Sequence, residues 1–162
     1  MAYVGPQLLA AVHLVSDFAC GQDALDDWLK RRALANQQTG TTRSWVVTES
    51  SSGGVVAFYA SCTASVLRST TTRTIGKGQP EQVPALLLAR MGVDQKHLGR
   101  GLGAALLKHF VLKAMEVSAS VGVRILLVHA KEEVAKSFYQ HYGFVESPVD
   151  PLTMMMLLPA DA

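Results

Sequence analysis

The stretch ALLLARMGVDQKHLGRGLGAALLKHF, residues 85–110, decides the fold. Ala85 to Val93 reads as a buried strand, and Leu102, Leu106, Leu107, Phe110, Ala114 and Val117 then recur at the spacing that lines one face of a helix. Between them stand Gly99, Arg100, Gly101, Leu102 and Gly103. A strand, a glycine turn and a helix present unpaired N–H groups and the positive end of the helix dipole, a ready site for a pyrophosphate. The same glycines would also serve a plain tight turn. No Gly-Lys-Ser/Thr follows, and no acid closes a strand about 20 residues on, so neither a Walker loop nor a dinucleotide fingerprint is present.

Working outward, the pattern alternates between strand and helix periods. Leu8 to Val15 predicts a first strand, and Asp23 can cap a helix carrying Leu25, Trp28, Leu29 and Ala33, which fades near Asn36. Ser44 to Thr48 and Val55 to Ser65 predict a hairpin turned by Ser50 to Gly54. Arg68 to Pro84, rich in Thr, Gly and Pro, predicts a mobile surface loop. After the central helix, ended by Gly122, come a short apolar strand Ile125 to Val128, a helix Val134 to Tyr142 stopped by Gly143, and a closing strand Met154 to Leu158. Hairpins mixed with crossovers predict an α/β (α+β) fold, a mixed central β-sheet flanked by helices, in a single domain over residues 1–162.

Composition excludes several classes. Hydrophobic residues at 49% and charged residues at 17% are incompatible with intrinsic disorder. The longest wholly apolar runs fall far short of the roughly 20 residues that cross a bilayer, and Met1 to Leu9 lacks signal-peptide character, so a cytoplasmic chain with no membrane partner is expected. Cys20 and Cys62 match no disulfide or zinc spacing and are expected as buried, reduced thiols, with no metal. The net charge is only +2, yet Lys30, Arg31, Arg32, Arg43, Arg68, Arg73 and Lys77 face a single acid, Glu49, between residues 30 and 77. That segment is either a solvated surface or a basic binding face.

The whole arrangement resembles the GNAT acetyltransferase superfamily. Its Arg/Gln-x-x-Gly-x-Gly/Ala turn is matched at Gly101 and Gly103, with Leu98 in place of the Arg or Gln. Its Ala-x-x-Phe-Tyr-x-x-x-Gly-Phe helix is matched by Ala135, Phe138, Tyr139, Gly143 and Phe144, with Val134 where an Asn is common. Phe18, Cys20, Gly21, Leu25, Asp26, Trp28, Leu29, Ala33, Gly40, Arg43, Trp45 and Val46 resemble the opening of the tRNA-acetylating toxins of TacT type. Arg90, Met91, Gly92, Val93 and Asp94 resemble their Arg-Leu-Ala-Val-Asp strand end, with Met91 and Gly92 as departures.

The resemblance implies a GNAT fold and transfer of acetyl from acetyl-CoA to the α-amino group of an aminoacyl-tRNA, which blocks translation. It also implies a toxin of a type II toxin-antitoxin system, a ribbon-helix-helix antitoxin as partner, and a homodimer. Acetyl-CoA is then expected at Met91, Gly92, Val93, Leu98, Gly99, Arg100, Gly101, Gly103, Ala104 and Phe138, with the thioester carbonyl on backbone N–H groups of Arg90 to Val93. Tyr139 is the expected general acid for the CoA thiolate, against a reading as a core aromatic with Phe138 and Phe144. An α-amino group has a pKa near 8, lowered in an ester, so no strong base is needed. His129 and Glu132 could order a water, though His129 also reads as structural.

Lys30, Arg31, Arg43, Arg90 and Lys96 are the candidates to hold tRNA phosphates, with Arg32 and Lys77 beside them. Trp45 reads either as a base platform or as strand packing. Two other functions fit the same residues: a GNAT transferase for a small amine or a protein N-terminus, and a non-catalytic acyl-CoA-binding module.

Overall fold

The computed structural model describes residues 2–159. In chain order they form β1 (Tyr3–Leu8), α1 (Asp23–Arg31), α2 (Ala33–Gln38), β2 (Arg43–Glu49), β3 (Val55–Leu67), α3 (Arg73–Gly76), β4 (Gln82–Val93) and α4 (Leu102–Ser118), then β5 (Ile125–His129), α5 (Glu133–His141), β6 (Val145–Glu146) and β7 (Thr153–Leu157). The strands make one seven-stranded sheet in the order β1-β2-β3-β4-β5-β7-β6. β4 and β5 run parallel, joined through α4, while β1–β2, β2–β3, β5–β7 and β6–β7 are antiparallel. A mixed sheet with flanking helices is the expected architecture. The chain divides into two compact units, Met1–Cys62 with Ala89–Phe110 and Thr63–Leu88 with Val111–Ala162.

In the first unit, Leu25, Trp28 and Leu29 of α1 bury together with Phe18, Ala33, Val46 and Phe58. Phe18 meets the Phe58 ring edge-on at 5.5 Å, and Trp28 lies nearly parallel to Phe58 at 6.1 Å. Lys30 and Arg31 are exposed on the same helix. Asp23 is the first helical residue and not the cap; Gln22 precedes it without a side-chain cap bond. The acid still stands at the positive end of the dipole. The apolar run Leu8 to Val15 is not a strand. β1 lies earlier, over Tyr3–Leu8, as a half-exposed strand paired with β2, and Leu14 is exposed outside it. An edge strand needs little apolar character, so composition pointed to the wrong segment.

In the second unit, Ile75, Ala85, Ile125, Leu127 and Met155 form the core. The segment Arg68 to Pro84 is not a loop. Ile75 and Val83 are buried, α3 lies within it, and β4 already begins at Gln82. Arg124 donates from Nε and Nη2 to the Ile75 carbonyl at 3.2 and 3.1 Å, and Ser147 Oγ donates to the Thr70 carbonyl at 2.6 Å. One isoleucine in a polar run supplies the anchor, and the hydrogen bonds satisfy the backbone around it. Arg124→Ala should therefore lower unfolding free energy by about 1.5–3 kcal/mol, the range for a charged hydrogen bond, read from the urea midpoint. Helix α4 ends at Ser118, ahead of Gly122, and Val117 in its last turn is exposed, whereas Leu102, Leu106, Leu107, Phe110 and Ala114 are buried.

Candidate active site

The β4–β5 ladder pairs Ala85 to Leu88 with Ile125 to Val128, and β4 continues beyond it to Val93. In this tail Gly92 is buried, and a Cβ there would stand 3.0 Å from Leu25 Cδ2 and 3.4 Å from both Phe18 and Phe58. Packing thus accounts for a glycine at this strand end. Asp94 closes the strand, buried, and accepts from the N–H groups of Ala19 at 3.0 Å and Lys96 at 2.9 Å. Its carboxylate ties the strand end to the segment before α1.

The turn that follows is open. Gly99 and Gly101 both have φ +77°, a region that L side chains enter at a cost, and a Cβ on either would meet nothing within 4 Å. Leu98, Gly99, Arg100 and Gly101 are exposed, and Gly103 and Ala104 are half-buried in the first turn of the 17-residue helix α4. The first N–H groups of a helix have no intrahelical acceptor, so the turn offers backbone donors over unobstructed space. These residues fit a diphosphate. Leu98, apolar and exposed, supplies no polar contact.

Behind the turn lies a connection that sequence reading missed. Arg100 Nη1 donates to the Tyr3 hydroxyl at 3.2 Å, Tyr3 pairs with His97 Nδ1 at 2.8 Å, and His97 Nε2 stands 3.5 Å from the Glu49 carboxylate. With Arg100 only a donor, the arrangement that satisfies every group has Tyr3 donating to Nδ1 and the His97 proton on Nε2, facing Glu49. Tyr3 lies 94 residues from His97, and no local pattern links them.

Helix α5 carries the other half of the expected chemistry. Tyr139 is 6% exposed, its ring edge-on to Phe138 at 5.3 Å and to Phe144 at 5.6 Å. Among the described residues its hydroxyl has no hydrogen-bond partner. Burial pushes the phenol pKa well above its ordinary value, so the hydroxyl keeps its proton across the physiological range. Gly143, at φ +100°, follows the helix, and the Phe144 N–H returns to the Tyr139 carbonyl at 3.1 Å. Tyr142 is exposed and packs on Phe138 at 5.1 Å; Val134 is exposed. His129, at the end of β5, is exposed and bonded through Nδ1 to Thr153 at 3.1 Å, and Glu132 immediately precedes α5.

The expected phosphate-binding cations separate. The Arg90 guanidinium lies 4.6 Å over the Trp28 ring, a cation–π contact that leaves its charge intact while fixing its position. Lys30 and Arg31 are exposed, and Arg43 donates to the Gln37 carbonyl at 2.9 Å. Lys96 lines a cleft of about 320 Å³ together with Asp17, Glu49 and Asp94, an acidic setting. Trp45 is half-buried against His109 at 4.7 Å, which is packing.

Cys20 and Cys62 are half-buried, not fully buried. Burial and the neighbouring Asp26 push the Cys20 thiol up to about 11, and burial raises Cys62 as well. Iodoacetamide should therefore modify Cys20 about a hundredfold more slowly at neutral pH than an unperturbed thiol, with the rate climbing toward pH 11. Among the described residues no helix is long and apolar enough to cross a membrane, and no group of three or more His, Cys, Asp or Glu is placed to hold a metal ion.

The family described as Acetyltransferase (GNAT) domain matches residues 40–146. The chain is 38% identical over 156 residues, covering 96% of it and 93% of the relative, to a protein of Mycobacterium tuberculosis (strain ATCC 25618 / H37Rv) named tRNA-acetylating toxin. Among solved structures, AtaT complexed with acetyl-methionyl-tRNAfMet superposes with a TM-score of 0.86 at 23% identity, over 93% of this chain and 92% of that one. A mutant AtaT toxin bound to the C-terminus of the antitoxin AtaR and acetyl-CoA superposes with a TM-score of 0.79 at 22% identity, over 94% and 91%. At those identities the two structures speak for the fold. The matched domain and the near full-length relative establish that the chain belongs to the GNAT acetyltransferases and, within them, is similar to the tRNA-acetylating toxins.

Proposed function

We propose that the chain is an acetyl-CoA-dependent N-acetyltransferase that acetylates the α-amino group of aminoacyl-tRNA and so blocks translation. The observation that carries this reading is the 38% identity to a tRNA-acetylating toxin across 96% of the chain. On this reading all 162 residues work as one transferase domain in the cytoplasm, as a homodimer, held in check by a ribbon-helix-helix antitoxin.

The reaction needs a bound thioester, a neutral amine and a proton for the leaving thiolate. Gly99, Arg100, Gly101, Gly103 and Ala104 hold the pyrophosphate of acetyl-CoA through backbone donors at the start of α4. Backbone N–H groups within the strand end Arg90 to Val93 would polarise the thioester carbonyl, and negative charge growing on its oxygen would strengthen those bonds as the amine attacks. The aminoacyl ester withdraws electron density from the α-amino group, so it is largely neutral at physiological pH and needs no strong base. As the C–S bond breaks, Tyr139 gives its proton to the thiolate, while the proton shed by the acylated nitrogen passes to solvent and solvent returns one to the phenolate. Its raised pKa keeps that proton in place beforehand. Arg90 and the exposed Lys30 and Arg31 attract the phosphates of the acceptor.

The test is incubation of purified protein with acetyl-CoA and total charged tRNA, followed by mass spectrometry of the released aminoacyl groups. N-acetylated amino acids are the expected product. Acetylated small amines or peptide N-termini with no acetylated aminoacyl product would overturn the tRNA reading.

A further inference from the structure

The segment expected to be a loop carries a second basic feature. Arg68, Arg73 and Lys77 line a cleft of about 950 Å³ together with Ser69, Thr72 and Thr74, and no carboxylate lines it. Among the described residues Arg73 and Lys77 have no carboxylate within 4.0 Å. Arg68 Nη1 donates to the Gln79 carbonyl at 2.6 Å, which holds the guanidinium without neutralising it. Three like charges lining one cleft with no carboxylate among them make a positive field that attracts an anion.

The hydroxyls point to the kind of anion. Thr72 Oγ1 accepts from the Ile75 N–H at 3.3 Å, so its own hydrogen remains free to donate, and the hydroxyls of Ser69 and Thr74 have no protein partner among the described residues. Hydroxyl donors interleaved with cations match phosphate oxygens. The volume exceeds what a single phosphate needs and suits a run of backbone. The cleft is also held in shape: buried Ile75, the two Arg124 bonds to its carbonyl, and the Ser147 bond to Thr70 anchor the segment from beneath. A site ordered beforehand loses little entropy on binding.

We propose that the cleft of Arg68, Arg73 and Lys77 is a binding site for the sugar-phosphate backbone of the tRNA substrate, a contact separate from Lys30, Arg31 and Arg90. It rests on the reading of the acceptor as a tRNA. The experiment measures binding of deacylated total tRNA by fluorescence anisotropy between about 50 and 200 mM salt for the wild type, Arg73→Gln/Lys77→Gln, and Lys108→Gln, which removes an exposed charge from α4. Each lost phosphate contact lowers the slope of log affinity against log salt by about 0.7 to 0.9, so the double variant should lose about 1.4 to 1.8 and Lys108→Gln almost nothing.

An unchanged slope in the double variant, or a wild type that does not bind tRNA, overturns the proposal. An unchanged tRNA slope with lost binding of an acidic antitoxin peptide would reassign the cleft to a protein partner. Acetylation of charged tRNA is read separately: a wild type that acetylates it while the slope stays fixed sinks only the cleft. A wild type that does not acetylate it, with the slope change intact, sinks only the catalytic reading.

Discussion

Tyr139→Phe is expected to lower the acetylation rate by about 10²- to 10⁴-fold, the range for a positioned general acid, with acetyl-CoA affinity and unfolding midpoint nearly unchanged. The ring keeps its edge-on contacts with Phe138 and Phe144, and the hydroxyl has no protein partner to lose among the described residues. Stability and catalysis therefore separate in this variant. A large drop in midpoint together with inactivity would mark the hydroxyl as structural, and full activity would remove Tyr139 from the mechanism. The pH profile carries the same signature. An acid must be protonated to act, and a phenol raised above its ordinary pKa stays protonated to higher pH, so wild-type activity should show no alkaline fall near pH 10, where an unperturbed tyrosine ionises.

Gly101→Glu should weaken acetyl-CoA binding by at least about a hundredfold, measured by calorimetry. A carboxylate brought to within a few ångströms of a pyrophosphate repels it by a few kcal/mol at the dielectric of a protein surface, and each 1.4 kcal/mol is tenfold. The protein itself has room for the side chain, since a Cβ at Gly101 meets nothing within 4 Å, so lost affinity and not lost packing is the outcome. Gly101→Ala isolates the backbone contribution: it carries the cost of φ +77° without the charge and should fall between the two. Unchanged affinity in Gly101→Glu would move the pyrophosphate away from this turn.

What could be read in the sequence was whatever lies close along the chain. The strand, glycine turn and helix over residues 85–110 follow from local periodicity, and the Ala135 to Phe144 pattern marks α5 because its spacing is that of one helix and its cap. What escaped depended on partners far apart. Arg90 reads as a free cation until Trp28 is found beneath it, and Lys96 until Glu49 and Asp17 are found around it. Arg68 to Pro84 reads as mobile on polarity because its few buried residues, Ile75 and Val83, are outweighed, although Ile75 with Arg124 on its carbonyl orders the segment. Leu8 to Val15 fails for the opposite reason: beyond Leu8, which ends β1 opposite Trp45, its apolar residues meet the sheet only through an isolated Leu14–Gly54 bridge, while the half-exposed Tyr3–Leu8 pairs with β2.

The two margins of the sheet bear on how the protein behaves when it accumulates. An outer strand with a long row of free N–H and C=O groups is a template on which another chain can add and grow into a fibril. Here β1 carries Pro6, which has no N–H to offer, and its register shifts between Val4 and Gln7, so the row is broken near its middle. At the other margin β6 is two residues long and exposed. Neither border supplies a flat run for strand-by-strand growth, so concentrated protein should stay free of thioflavin-binding fibrils.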